Sequence, residues 1–353
     1  MGPVEQRVMR IAVPVPLIRE MDSVIIRGLG GYSTRAEFIL DAIQERVLEL
    51  TGGEVEDSGP PPAVRASSAP PSAPQEVEPP SPSGSDAPST LAVTELDTPR
   101  KGFTLESGDN VARPEGRPLF GLHNRDYPSL WALVNLATLT QDGPIPVETF
   151  YSEVIRGAWK FGELLRAIEQ RTGVKRTALF PTNLEKRKSA EMGFRAFAIG
   201  DYRPAPDRTF TTSGPLFEWQ VVGLTLGAGK EPLIGITKAG WEMLKRVAGM
   251  SIDEPHPAAA SAYFLDHLRH HSPADHVAFV EILRAIGPEG ASRQDVLDQT
   301  AKVWPAWTEN EISTNSAGYV ARTREWGLVE QKQTKGHYHL TTLGIEHMKG
   351  SPQ

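Results

Sequence analysis

Apolar and polar positions along the 353-residue chain change period several times. The stretch RIAVPVP, residues 10–16, alternates apolar and other residues with the period of a strand and carries Pro14 within it. LIREMDSVIIRGLGG follows, with Ile18, Met21 and Ile25 at helical spacing and glycines at 28, 30 and 31 that stop the helix. A second helical pattern begins at the capping pair Thr34 and Glu37, and Phe38, Ile39, Ala42, Ile43 and Val47 form its apolar face. A strand and two helices in some fifty residues cannot close a core, because a single strand has two open edges. The missing strand is expected from a second copy, which makes the chain a homodimer.

Periodicity then disappears. Residues 52–116 hold twelve of the thirty prolines, in clusters such as PPP at 60–62 and PPSPS at 79–83, among Ser, Ala, Gly and acids. Such a composition buries too little apolar surface to offset the entropy of ordering, so a disordered Pro/Ser-rich acidic linker is expected over 52–116.

Beyond residue 116 the periodic segments return. SLWALVNLATLT predicts an apolar helix, PVETFYSEVIRGAWKFGELLRAIEQRTG further helices, and EWQVVGLTLGAGKEPLIGIT a hairpin. A second series repeats the plan: a helix around His276–Ile286, then SRQDVLDQTAKV and TENEISTNSAGYVARTREWG, then short strands LVEQ and YHLT around the turn KQTKGH. ITKAGWEMLK at 236–245 and LTTLGIEHMK at 340–349 match at Thr, Gly, Glu and Lys, 104 residues apart, and predict two copies of one unit. Val320, Trp326 and Leu328 are expected in the core.

The N-terminal motifs RIAVPVP and GGYSTRAEFILDAI resemble the ribbon-helix-helix family of DNA-binding proteins, of Arc and MetJ type, over about residues 8–50. The resemblance implies a strand ribbon shared by two chains and inserted in the major groove. Ile11, Val13 and Val15 would then face the dimer core and Arg10, Ala12 and Pro14 the bases. The second helix's N-terminus, Ser33, Thr34 and Arg35, would hold a phosphate. Of the base-facing residues only Arg10 offers a bidentate donor, so phosphates and DNA shape would carry much of the affinity.

The helices-then-hairpin pattern from about Ala262 to Lys349 resembles a winged-helix domain. It implies Asn315, Arg322 and Arg324 as DNA contacts on the helix before the hairpin, and Lys332, Lys335 and His337 on the wing near phosphates. The other reading is a solvated face of a domain that binds protein.

Charge modifies this picture only locally. The net charge of −7 equals the imbalance in residues 52–116, where four Arg/Lys stand against eleven Asp/Glu. Between Arg156 and Arg208, twelve Arg/Lys stand against six Asp/Glu. Lys175, Arg176, Lys186, Arg187 and Lys188 in this stretch suit a phosphate backbone, with Phe180 and Phe194 near enough in sequence to stack on bases; a solvated helix surface is the alternative. The absence of cysteine excludes disulfides, thiolate metal sites and a cysteine nucleophile, and with no signal peptide or long apolar run a cytoplasmic, non-membrane protein is expected.

Enzymatic signals are few. LGAGKE fails the phosphate-loop spacing at Leu224 and Glu231. His267, His270, His271 and His276 contain an i, i+4 pair without an accompanying H-E-x-x-H motif, and a solvated helix end is expected there instead of a metal. Asp207 with Glu218-Trp219-Gln220 resembles the PD-(D/E)xK nucleases, with Gln220 in place of the lysine.

The expected molecule is mostly α with small β elements and has no enzymatic activity, cofactor or metal. It comprises a ribbon-helix-helix dimerisation unit (1–51), the linker (52–116), a winged-helix-like unit with a basic insertion (117–250) and a second such unit (251–353). Its partner is double-stranded DNA, in transcription regulation or assembly on repeated sites. The alternative is a partition adaptor or antitoxin-like protein whose C-terminal part holds a protein partner; a metal-dependent nuclease is the remote one.

Overall fold

A computed structural model describes residues 95–97, 99–119, 123–172 and 179–350, with two isolated positions, Ile18 and Ile39, which are helical. The chain divides into two compact units, Met1–Ser89 and Thr90–Gln353. Arg10, Ala12, Pro14, Ser33, Thr34, Arg35, Lys175 and Arg176, and the linker up to residue 94, lie outside the described residues.

The second unit is mostly helical, with small sheets. It begins earlier than the composition suggests. Leu96 and Leu105 are each only 3% exposed. The Leu96 N–H donates to the Met250 carbonyl at 2.9 Å and the Leu105 N–H to that of Ile236 at 2.8 Å. Strand β1 (Ala112–Pro114) pairs in parallel with a strand some hundred residues away. Residues 95–97 and 99–116 are thus part of the folded unit and not of the linker. A composition averaged over 52–116 hid a few apolar anchors whose burial is decided by distant partners.

The first repeat opens with α1 (Tyr127–Leu139), which has Pro128 in its first turn, where a missing N–H costs nothing, and Leu130, Leu133 and Leu136 fully buried. A two-residue strand β2 (Ile145–Pro146) leads into α2 (Val147–Thr172), a 26-residue helix that buries Phe150, Val154, Ala158 and Leu165 at helical spacing. An insertion follows: α3 (Arg187–Phe194), a wider helical turn at Arg195–Ile199, then hairpin strands β3 (Asp201–Pro204) and β4 (Phe210–Ser213), which join β1 in the order β1-β4-β3. A short helix α4 (Pro215–Glu218), the hairpin β5 (Val222–Leu226) and β6 (Pro232–Ile236), and α5 (Lys238–Val247) complete the repeat. β2 pairs antiparallel with β6.

After α6 (Ala258–His271), the second repeat runs α7 (Pro273–Ile286), β7 (Ala291–Ser292), α8 (Arg293–Val303) and α9 (Glu309–Glu325), then a hairpin ending in β8 (His337–Tyr338), and α10 (Thr342–Gly350). Ser292 and Thr308 cap α8 and α9 through reciprocal bonds with Asp295 and Glu311. β7 pairs antiparallel with β8, as β2 does with β6, and a bridge between Val329 and Leu340 closes the hairpin. Val320, Trp326 and Leu328 are buried as expected. The two repeats are not separate domains at residue 250, because their buried side chains form one continuous apolar cluster.

Candidate nucleic-acid interface

Each repeat turns from helix to hairpin at the same four-residue corner. Glu218-Trp219-Gln220-Val221 in the first is matched by Glu325-Trp326-Gly327-Leu328 in the second. The third residue is left-handed in both, with φ of 54° at Gln220 and 66° at Gly327. The threonine before the last helix closes the corner: Thr237 Oγ1 donates to the Gln220 carbonyl at 2.7 Å, and Thr341 Oγ1 to the Gly327 carbonyl at 2.7 Å. Each threonine then accepts the backbone N–H three residues on, from Gly240 and Gly344, both at 3.1 Å. These glycines explain the repeat visible in the sequence, since a Cβ would lie 2.1 Å from the Val221 carbonyl oxygen at Gly240 and 2.0 Å from that of Leu328 at Gly344. The Glu-Trp pair, 107 residues apart, was also legible in the sequence and was missed.

The two corners hold the repeats together reciprocally. Trp219 of the first donates its indole N–H to Asp275 in α7 at 3.0 Å, and Trp326 of the second donates to Asp126, just before α1, at 2.6 Å. Glu218 accepts the backbone N–H groups of Glu115 and Gly116, and Glu325 accepts those of Asp126 and Tyr127. Helix α6 spans the pair: Phe264 stacks on Trp326 at 4.0 Å and meets Trp219 edge-on at 5.2 Å. Ser261 Oγ donates to the Trp326 carbonyl at 2.7 Å, and His267 Nε2 to that of Trp219 at 2.8 Å.

Arg322 bridges both aspartates, with Nε 2.8 Å from Asp126 and its two terminal nitrogens 2.7 and 2.8 Å from Asp275. Burial opposes ionisation of Asp126, but the Arg322 charge and the His123 and Trp326 hydrogen bonds outweigh it and hold the carboxyl well below the usual range. Burial pushes Glu218 up to about 7, against the Gly116 and Glu115 N–H groups. Burial lowers His256, packed 4.4 Å from the Trp326 ring, to about 3.

This network corrects the expected interface. Arg322 is fully buried and Asn315 is 2% exposed, so neither presents a surface to DNA. The helical period placed both on the wrong side of α9, because a buried carboxylate pair pulls Arg322 inward. Arg324 is half-buried and braces helix to hairpin: its Nε donates to the Glu330 carbonyl at 3.2 Å and its guanidinium lies 5.1 Å from the Tyr338 ring. Lys332, Lys335 and His337 are exposed on the hairpin. Lys186, Arg187 and Lys188 are exposed at the start of α3.

Other sequence signals become structural. Phe180 and Phe194 are 4% and 1% exposed and pack with Trp131 and Phe161, so they have no face for a base. His267 is 5% exposed, not solvated, while His270 lies exposed near the end of α6. Asp207 sits in the β3–β4 turn, ion-paired with Arg113 at 2.6 Å, and Glu218 is buried with both oxygens bonded. Among the described residues no group of His, Asp and Glu could hold a metal ion, and no helix is long and apolar enough to cross a membrane. Comparison with family models, with curated proteins and with solved structures returns no match.

Proposed function

We propose that the chain is a dimeric, sequence-dependent DNA-binding protein that regulates transcription or assembles on repeated sites. The observation that carries this is the second repeat's element order, helix, short strand, two helices and hairpin, ending in an exposed turn with Lys332, Lys335 and His337. That order resembles the winged-helix plan, and the first repeat runs in the same order with an insertion in place of its third helix. The ribbon-helix-helix resemblance of residues 8–50 supports a second contact and a dimer. With Arg322 and Asn315 buried, the hairpin turn takes over the electrostatic role from α9.

Titration of the full chain against duplex DNA across a salt series tests this. Lys332→Gln with Lys335→Gln is expected to weaken binding and reduce the log–log salt slope by about 2, one per lost phosphate contact. A wild-type chain that leaves duplex DNA unbound at low salt overturns the proposal.

A second reading has its own support. Asp295 and Glu309 are exposed in the first turns of α8 and α9, and Asp298 is exposed midway along α8, on helices that in a groove-inserting module would meet phosphates. This acidity favours a protein partner for the same face, in an adaptor of partition or antitoxin type. Failure to bind duplex DNA would leave this reading.

A further inference from the structure

We infer that the groove between α2 and α3 binds the phosphate of a nucleotide unit, free or at an accessible point of a single strand. The inference goes beyond duplex binding, since it uses neither the N-terminal ribbon nor the hairpin turn. The groove encloses about 640 Å³, within the usual size of a small-ligand cleft. Its walls are one face of α2, from Glu148 to Glu163, and, across from it, Leu184, Arg187 and Glu191 on or just before α3 with Arg195 in the turn that follows.

Four cations line it, Arg156, Lys160, Arg187 and Arg195, and Arg156 is ion-paired with Glu153 one turn back on α2. Lys160 is exposed and makes no ion pair among the described residues. Arg187 donates its Nε–H to Glu191 at 2.8 Å in an exposed i, i+4 pair, which leaves its terminal nitrogens for a ligand. Arg195 is held by Asp201 through one terminal nitrogen, and its guanidinium lies 4.6 Å from the Tyr151 ring. A guanidinium held in this way loses little freedom on meeting a phosphate.

The carboxylates are mostly occupied. Glu191 accepts the Trp159 indole N–H at 3.0 Å as well as Arg187, and Glu148 accepts the Tyr202 hydroxyl at 3.2 Å. Glu163 stands one turn beyond Lys160 and closes one end to anions. Tyr151 and Trp159 line the floor but are buried, so a base would lie along the groove and not stack on them.

Calorimetric titration of the full chain with inorganic phosphate, adenosine monophosphate and a single-stranded oligothymidylate tests the site. Arg156→Gln with Lys160→Gln, both at exposed positions, is expected to lower oligothymidylate affinity roughly tenfold with unchanged thermal unfolding. Ser152→Glu, which adds a carboxylate at an exposed lining position, is expected to weaken it without removing a native contact. A parallel loss of monophosphate binding identifies the free nucleotide as sufficient; loss for the oligonucleotide alone identifies the strand. Equal affinity in wild type and both variants, or no binding of any of the three probes, overturns the inference. Lys332→Gln with Lys335→Gln is expected to leave groove binding unchanged, which separates this outcome from failure of the duplex-binding proposal.

Discussion

Arg322 has both of its neighbouring carboxylates as partners and no exposed surface, so its removal leaves Asp126 and Asp275 buried without their shared cation. Breaking a buried pair from one side costs about 3–5 kcal/mol, and Arg322→Met is expected to reach that range in urea unfolding of the full chain. A DNA-contact role would instead leave stability unchanged and weaken binding. His256 gives a second test at this scale. Its folded pKa of about 3 lies below the ordinary 6.5, so between these values the unfolded chain binds the extra proton. The contribution is fully present above pH 6.5 and is lost as pH falls toward 3. His256→Phe keeps a ring against Trp326, and the stability difference between variant and wild type is expected to change across that window and stay level above it.

At the scale of elements, the helix-to-hairpin corner is built twice with the same bonds. Gly240→Ala and Gly344→Ala each place a methyl against a backbone carbonyl that belongs to the opposite side of the corner. Each is expected to destabilise by about 1–3 kcal/mol in chemical denaturation, the usual cost of overpacking. Equal, small effects would show that the corner yields. The repeat was legible here because both glycines and both threonines are required by local geometry, which leaves a signature at fixed spacing. The burial of Arg322 was not legible. Its helical position is compatible with either face, and the deciding carboxylates stand 47 and 196 residues away. Phe180 and Phe194 failed for the same reason: aromatic residues near a basic run suit stacking or a core, and only their packing on Trp131 and Phe161 settles which.

At the scale of the molecule, the reciprocal Trp–Asp bonds make the two repeats of residues 95–350 interdependent. Neither α1 nor α7 has its N-terminal carboxylate satisfied by its own repeat alone. Unfolding of this part is therefore expected as one calorimetric transition with equal calorimetric and van't Hoff enthalpies. Two separable transitions would show that the repeats are independent domains.

By itself the sequence determined the main helices of the two repeats, the repeat itself and the hairpin that ends each one, but not β1, the β3–β4 hairpin or α6, because periodicity, capping residues and obligatory glycines act within a few positions of one another. The tertiary structure decided that the folded unit starts by residue 95, that the repeats share one core, and that Arg322 closes it from within. Burial and charge pairing depend on groups brought together from far along the chain, and no local pattern records which partner a side chain will find.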